Sequence, residues 1–128
     1  MKRVLLLLMV SVIALLSAPH LVEPNNKRSL SEWGVQDSKS YAQDQLYQWQ
    51  RKQWSCLNRL WGKESAWNPK AYNTIKVSGR NAGGIPQLLG LDPATQPTRQ
   101  IERGLDYIYN RYGTPCKAWE FFKRKGWH

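Results

Sequence analysis

Histidine, cysteine and acid are the scarce groups in this chain of 128 residues, with two His, two Cys, and nine Asp/Glu against nineteen Lys/Arg. So few soft ligands exclude a metal centre on count. His20 and His128 stand near the two ends, far in sequence from Cys56 and Cys116, whereas a structural zinc site gathers about four such side chains. No cofactor is expected either. The chain has no internal repeat, and its length suits one domain. A long apolar run is also lacking. The stretch from Val4 to Leu16 has thirteen residues, and an ordinary membrane span needs about twenty.

That short run has another use. Lys2-Arg3 form a positive start, the apolar stretch follows with only Ser11 interrupting, and Ser17-Ala18 supply small residues. This is the layout of a secretory signal. Cleavage after Ala18 would put Leu16 three residues before the cut and Pro19 just after it, a poor processing site. Residues 1–18 are therefore read as a signal peptide or an uncleaved anchor. Release and tethering through residues 4–16 both stay open, and the chain is expected to be secreted, periplasmic or bound to the cell envelope. In an oxidising compartment a disulfide is the default for an even pair of cysteines. A Cys56–Cys116 bridge would close a loop of about sixty residues, which chain entropy values at ~4 kcal/mol.

The charge is not confined to the leader. From Tyr41 to His128 fourteen Lys/Arg oppose six Asp/Glu, a net +8. Such a field concentrates polyanions: nucleic acid, anionic lipid, or the anionic polymers of a bacterial envelope. The leader argues against nucleic acid. So do the tryptophans, which follow a buried stripe instead of forming the exposed platform that basic residues would line.

Residues 19–40 mix Pro, Asn, Ser and charges and read as a linker, with Trp33 able to dock onto the domain at 41–128. Leu46, Trp49, Gln53/Trp54, Leu57 and Leu60/Trp61 recur at steps of three and four, which predicts one helix from about Tyr41 to Glu64. Asn68-Pro69 would end it, because a residue before proline resists the α conformation. Ala71 to Gly90 is rich in glycine, with a β-branched patch at Thr74, Ile75 and Val77, and predicts a turn-rich lobe with at most a small hairpin. A second helix is expected over Pro97–Tyr112, stopped by Gly113. Thr114-Pro115 then open a third, which Gly126 ends. The fold class is mainly α: a small α+β domain with three or more helices around an irregular glycine-rich lobe.

Within this frame Glu64 is notable for its position. It lies seven residues after Leu57, four after Leu60 and three after Trp61, so the four side chains share one helical face. A carboxyl ending an apolar stripe beside an indole is expected to be partly desolvated. Desolvation penalises the charged form, and a protonated glutamate can donate to a glycosidic oxygen. Equally, a Glu in the last turn before Asn-Pro can lean into solvent. Periodicity does not decide between the two.

An ordered series of motifs bears on that choice. Trp54-Ser-Cys-Leu, Leu60-Trp-Gly-Lys-Glu-Ser-Ala-Trp-Asn68, Ala71-Tyr-Asn73, Gly84-Ile-Pro-Gln87, Gln100-Ile, Gly104-Leu-Asp-Tyr-Ile108, Arg111-Tyr-Gly-Thr-Pro-Cys-Lys-Ala-Trp119 and Gly126-Trp127 follow one another from about residue 49 to the end. Together they resemble the lytic-transglycosylase-like domain of actinobacterial secreted and phage tail-associated proteins, within the lysozyme-like superfamily. The resemblance implies a lysozyme-like fold, a monomer, and peptidoglycan glycan strands as substrate. It implies that Glu64 is the general acid, oriented by Ser65, and that Gln87 contacts the sugar with Asn73 nearby. It places Tyr107 at a cleft-facing aromatic position and pairs Cys56 with Cys116 inside one molecule. Without the resemblance, Gln87 reads as a loop amide, Asn73 as a cap and Tyr107 as a core aromatic.

The chain departs from the family pattern in the lobe. Gly83 stands where relatives carry an aromatic, Leu88–Gln96 is several residues shorter, and Thr74–Ser78 is longer. Glycosidases ordinarily use two carboxylates. Here Glu102 and Asp106 look like a solvated helix face, and Asp92 lies in a loop. A transglycosylase needs one carboxylate, because the substrate's N-acetyl group assists and its own 6-hydroxyl attacks to give a 1,6-anhydro product. The rival expectations are a hydrolytic muramidase using Asp92 or a fixed water, and a cationic wall-binding module without chemistry.

Overall fold

The computed structural model describes residues 29, 32–46 and 51–127. The leader at 1–18, most of the expected linker and Trp49 lie outside the described residues. Among the described residues there are four helices, α1 (Val35–Gln45), α2 (Arg51–Ser65), α3 (Pro97–Tyr112) and α4 (Pro115–Lys125), with a hairpin of β1 (Ala82–Gly83) and β2 (Leu88–Leu89) between α2 and α3 in the chain. No described helix is long and apolar enough to cross a membrane.

Local chemistry fixes the two C-terminal helices where the sequence placed them. α3 begins on Pro97 and ends at Gly113, whose N–H returns to the carbonyls of Ile108 and Tyr109. Thr114 caps α4 by accepting the Lys117 N–H at 3.3 Å, and Gly126 closes it in the left-handed region. Both stops rest on residues whose backbone preference matches the turn required.

The N-terminal stripe forms two helices, not one. α1 ends at Leu46, a buried cap residue, and α2 starts at Arg51. α1 packs on α3, whereas α2 packs on α4. The two halves of the stripe thus pack on different helices, and tertiary packing overrides a continuous period. α1 also begins at Val35, inside the segment expected to be linker, and buries Ser38 and Ala42.

The end of α2 falls within one residue of the expected one, but the stop is made differently. It stops at Ser65, ahead of Asn68-Pro69, because Ala66 and Trp67 adopt φ of 51° and 61°. Two non-glycine residues in that region cost about 2–4 kcal/mol. The turn swings the Trp67 indole into the core, 5.6 Å from Trp54 and 5.2 Å from Trp61 between ring centroids, and leaves it 1% exposed. Burying an indole of roughly 150–250 Å² returns about 4–6 kcal/mol, so burial wins. Leu57, Leu60, Trp61, Ile101, Ile108 and Ala118 complete that core.

The central lobe is the turn-rich segment expected. β1 and β2 pair antiparallel, with Ala82 opposite Leu89 and Gly83 opposite Leu88. Isolated bridges join Tyr72 to Gly83 and Val77 to Arg80.

Cys56 and Cys116 form a disulfide that joins α2 to the start of α4. Beside it the Gln53 amide oxygen accepts the Cys116 N–H at 2.9 Å. On the other side of the molecule the Tyr41 hydroxyl donates to Glu102 at 2.7 Å, and Arg99 donates to the same carboxylate at 3.1 Å. Glu102 therefore ties α1 to α3, whereas Asp106, one turn on, is exposed as expected for a solvated face.

Two outcomes follow from these ties. Reducing the Cys56–Cys116 bond, whose cysteines are separated by 60 positions, should cost about 2–4 kcal/mol in urea unfolding of the full chain. The second concerns pH. The Tyr41 hydroxyl, then Arg99, hold the Glu102 carboxyl below its usual 4.5, and the bond to Glu102, then burial, raise Tyr41 above 10.0. A lowered acid stabilises the fold above its unfolded value and ceases to as pH falls through the folded one. A raised phenol stabilises it below 10 and ceases to at higher pH. Wild type should therefore exceed Tyr41→Phe by about 0.5–1 kcal/mol at neutral pH. That margin should shrink as pH falls through the lowered Glu102 value, below 4.5, and as pH rises through the raised Tyr41 value, above 10.0, in melts across the pH range.

Candidate active site

Glu64 occupies the last turn of α2, half-buried, with the fully buried Trp61 one turn below it. The next residue fastens this helix end to the lobe. Ser65 Oγ donates to the Ile85 carbonyl at 2.6 Å and also approaches the Trp61 carbonyl at 3.3 Å. Its observed bonds hold the turn behind Glu64 rather than the carboxyl itself.

That turn, Gly84 to Gln87, is held from the other side by Gln100. This side chain is fully buried. Its Oε1 accepts the Ile85 N–H at 2.9 Å, and its Nε2 donates to the carbonyls of Pro69 at 2.9 Å, Thr95 at 2.8 Å and Pro93 at 3.3 Å. One amide thus satisfies backbone groups from three separate stretches of the lobe. Gly84 is required beside it. A Cβ there would collide with Gln100 Oε1 and lie 2.8 Å from Cδ, and its φ of 73° disfavours other residues. Gly104, four residues after Gln100, lets α3 close on the same turn, since a Cβ would sit 2.6 Å from Trp61 and 2.7 Å from Pro86.

Gln87 takes φ of 50°, and its Nε2 donates to the Gly84 carbonyl at 2.9 Å and the Ala71 carbonyl at 3.3 Å. The amide N–H groups clamp the lobe, leaving Oε1 as the atom of Gln87 suited to accept from a ligand. Asn73 is exposed and engaged in its own turn, with Oδ1 accepting the Ile75 N–H at 3.0 Å. It stands as a turn cap. Tyr107 is half-buried one turn beyond Gly104, edge-on to Tyr112, with Arg111 over its ring at 5.8 Å. Burial first, then the neighbouring Tyr107, push the Tyr112 phenol up to about 12, so it stays neutral across the physiological range. Asp92 is exposed and caps a turn by accepting the Ala94 N–H at 2.8 Å.

Ser65 is thus bonded to the turn that carries Gln87, whereas Asn73 is committed to its own turn. Gly83 has a physical explanation. A Cβ at this position would run into the Leu91 carbonyl. The chain after β2 passes through the space an aromatic would fill, so the short segment and the glycine go together. Two depressions, of about 390 and 530 Å³, lie elsewhere on the surface, and neither is lined by Glu64.

Gln100 was the residue whose importance the periodicity understated. It shares the buried stripe of α3 with Ile101, Gly104 and Ile108, and a polar side chain on an apolar stripe is the signal for a buried hydrogen-bond hub. No family model, curated protein or solved structure matches the chain.

Gln100→Glu tests the hub, because it keeps the acceptor for Ile85 and replaces the donor with a carboxylate facing three carbonyls. The expected loss is about 3 kcal/mol or more in urea unfolding, with faster amide exchange at Ile85.

Proposed function

We propose that the chain is a peptidoglycan-degrading lytic transglycosylase with Glu64 as its single acid and base. The observation that carries this reading is the Ser65–Ile85 hydrogen bond of 2.6 Å. It fixes the helix end bearing Glu64 against the glycine-rich turn bearing Gln87. Ala66, Trp67 and Gln87, on either side of that contact, all hold left-handed backbone, and strain of this kind gathers at functional sites. The motif resemblance runs through the same residues.

In this reading Glu64 protonates the oxygen leaving the MurNAc–GlcNAc β-1,4 bond as the bond from C1 breaks. The substrate's N-acetyl oxygen stabilises C1. The muramic 6-hydroxyl then attacks C1 and returns its proton to the Glu64 carboxylate, so no second carboxylate is consumed. The exposed, turn-capping Asp92 favours this course over hydrolysis. The non-catalytic wall-binding alternative draws support from Gln87 and Asn73, whose amides serve their own lobe. Export to the envelope, by secretion or by a tether at residues 4–16, would bring the enzyme to its polymer.

The deciding measurement is mass spectrometry of fragments released from purified peptidoglycan by the full chain and by Glu64→Gln. Anhydro-muramic ends are expected, falling about 10²–10⁴-fold in the variant. Hydrated reducing ends would replace the transglycosylase with a muramidase. No fragments from several wall types, with the protein folded, would leave the binding module.

A further inference from the structure

The depression of about 530 Å³ lies on α2, lined among others by Lys39, Asn58, Arg59, Gly62, Lys63 and Trp119. Its volume falls within the roughly 300–1,000 Å³ of small-ligand sites. At 100° per residue its α2 positions centre roughly 160–170° around the helix from Glu64, on the opposite face. Three cations and no acid line it. Basic side chains on a helix are usually just a solvated face, so charge alone says little.

Gly62 says more. It lies inside α2, where glycine is less stable than alanine. Nothing stands within 4 Å of where its Cβ would be, and its φ is not positive. Neither packing nor backbone conformation asks for glycine here. What its missing side chain does is open the floor of the depression. Around that floor the Trp67 indole is fixed in the core with the Lys39 ammonium 5.9 Å from its ring centroid, and Trp119 presents a half-buried indole. Asn58 Oδ1 is a buried acceptor with no hydrogen-bond partner among the described residues. Closed to solvent as it stands, that atom is satisfied only if the side chain turns toward a donor such as a hydroxyl, which a bare anion lacks.

We infer that this bowl is a second binding site, for saccharide chains whose pyranose rings carry carboxylate or phosphate groups. Arg59, Lys63 and Lys39 hold the anion, Trp119 takes a sugar face, and Gly62 admits the ring to the helix surface. Binding there goes beyond the cleavage reading, because it requires no chemistry at Glu64.

The test is calorimetric titration of the full chain with oligogalacturonate, with neutral dextran, polyphosphate and phosphatidylglycerol vesicles alongside. Oligogalacturonate should bind at least about tenfold tighter than dextran or polyphosphate. Arg59→Glu with Lys63→Glu should weaken it about tenfold or more, and the same reversal at Lys76 and Arg80 less than about twofold. Gly62→Leu changes no charge and should abolish binding without lowering the melting temperature. Glu64→Gln should bind as wild type, whatever its effect on cleavage. Equal losses in the two charge reversals, or polyphosphate binding as tightly as oligogalacturonate, would reduce the bowl to plain polyelectrolyte attraction. Undiminished binding by folded Gly62→Leu would overturn the site. So would a preference for vesicles that disappears on reversing Arg59 and Lys63, which would point to a lipid surface instead.

Discussion

One buried amide organises the glycine-rich lobe of this molecule. Gln100 is fully enclosed, yet it projects from α3 and not from the lobe it holds. Its oxygen fixes the Ile85 N–H, and its nitrogen gathers the carbonyls of Pro69, Pro93 and Thr95. A segment with only two-residue strands cannot satisfy its backbone through sheet pairing, so a side chain must do it. Gly84 and Gly104 are glycine because the amide, Trp61 and Pro86 leave no room for a Cβ. The placement of Gln87 relative to Glu64 depends on this packing as much as on the Ser65 bond.

The helices serve two faces. Glu64 ends one side of α2, beside the lobe, while Arg59, Gly62 and Lys63 line the other. The proposed cleavage and the proposed anion binding therefore occupy opposite sides of a single rod. That rod is braced underneath by Trp54, Trp61 and Trp67. A polymer held on one side would leave the other accessible, a geometry suited to a long substrate.

Much of the frame was legible in the sequence where one residue's chemistry decides the structure. Pro97, Gly113, Thr114-Pro115 and Gly126 mark the ends of α3 and α4 whatever surrounds them. The cystine was expected from an even cysteine count behind a leader-like N-terminal sequence. Features set by distant partners were not legible. Nothing local at Leu46 says that α1 and α2 must face different helices. Nothing in Ala66-Trp67 announces a left-handed pair, since the indole that compensates it is buried by residues far along the chain. Within the candidate site, Glu64 was marked by its stripe. Asn73 was not separable from a turn cap without the Ile75 bond, nor Glu102 from a solvated acid without Tyr41.

The disulfide staples α2 to α4, and the lobe lies in the loop between them with no covalent cross-link of its own. Oxidation therefore hardens the helical frame while leaving residues 66–96 dependent on a few hydrogen bonds and the burial of Trp67 and Ile85. A segment held this way can open locally without global unfolding. Wherever proteases reach such a chain, a lobe that opened first would set its lifetime. A more stable frame would not lengthen it.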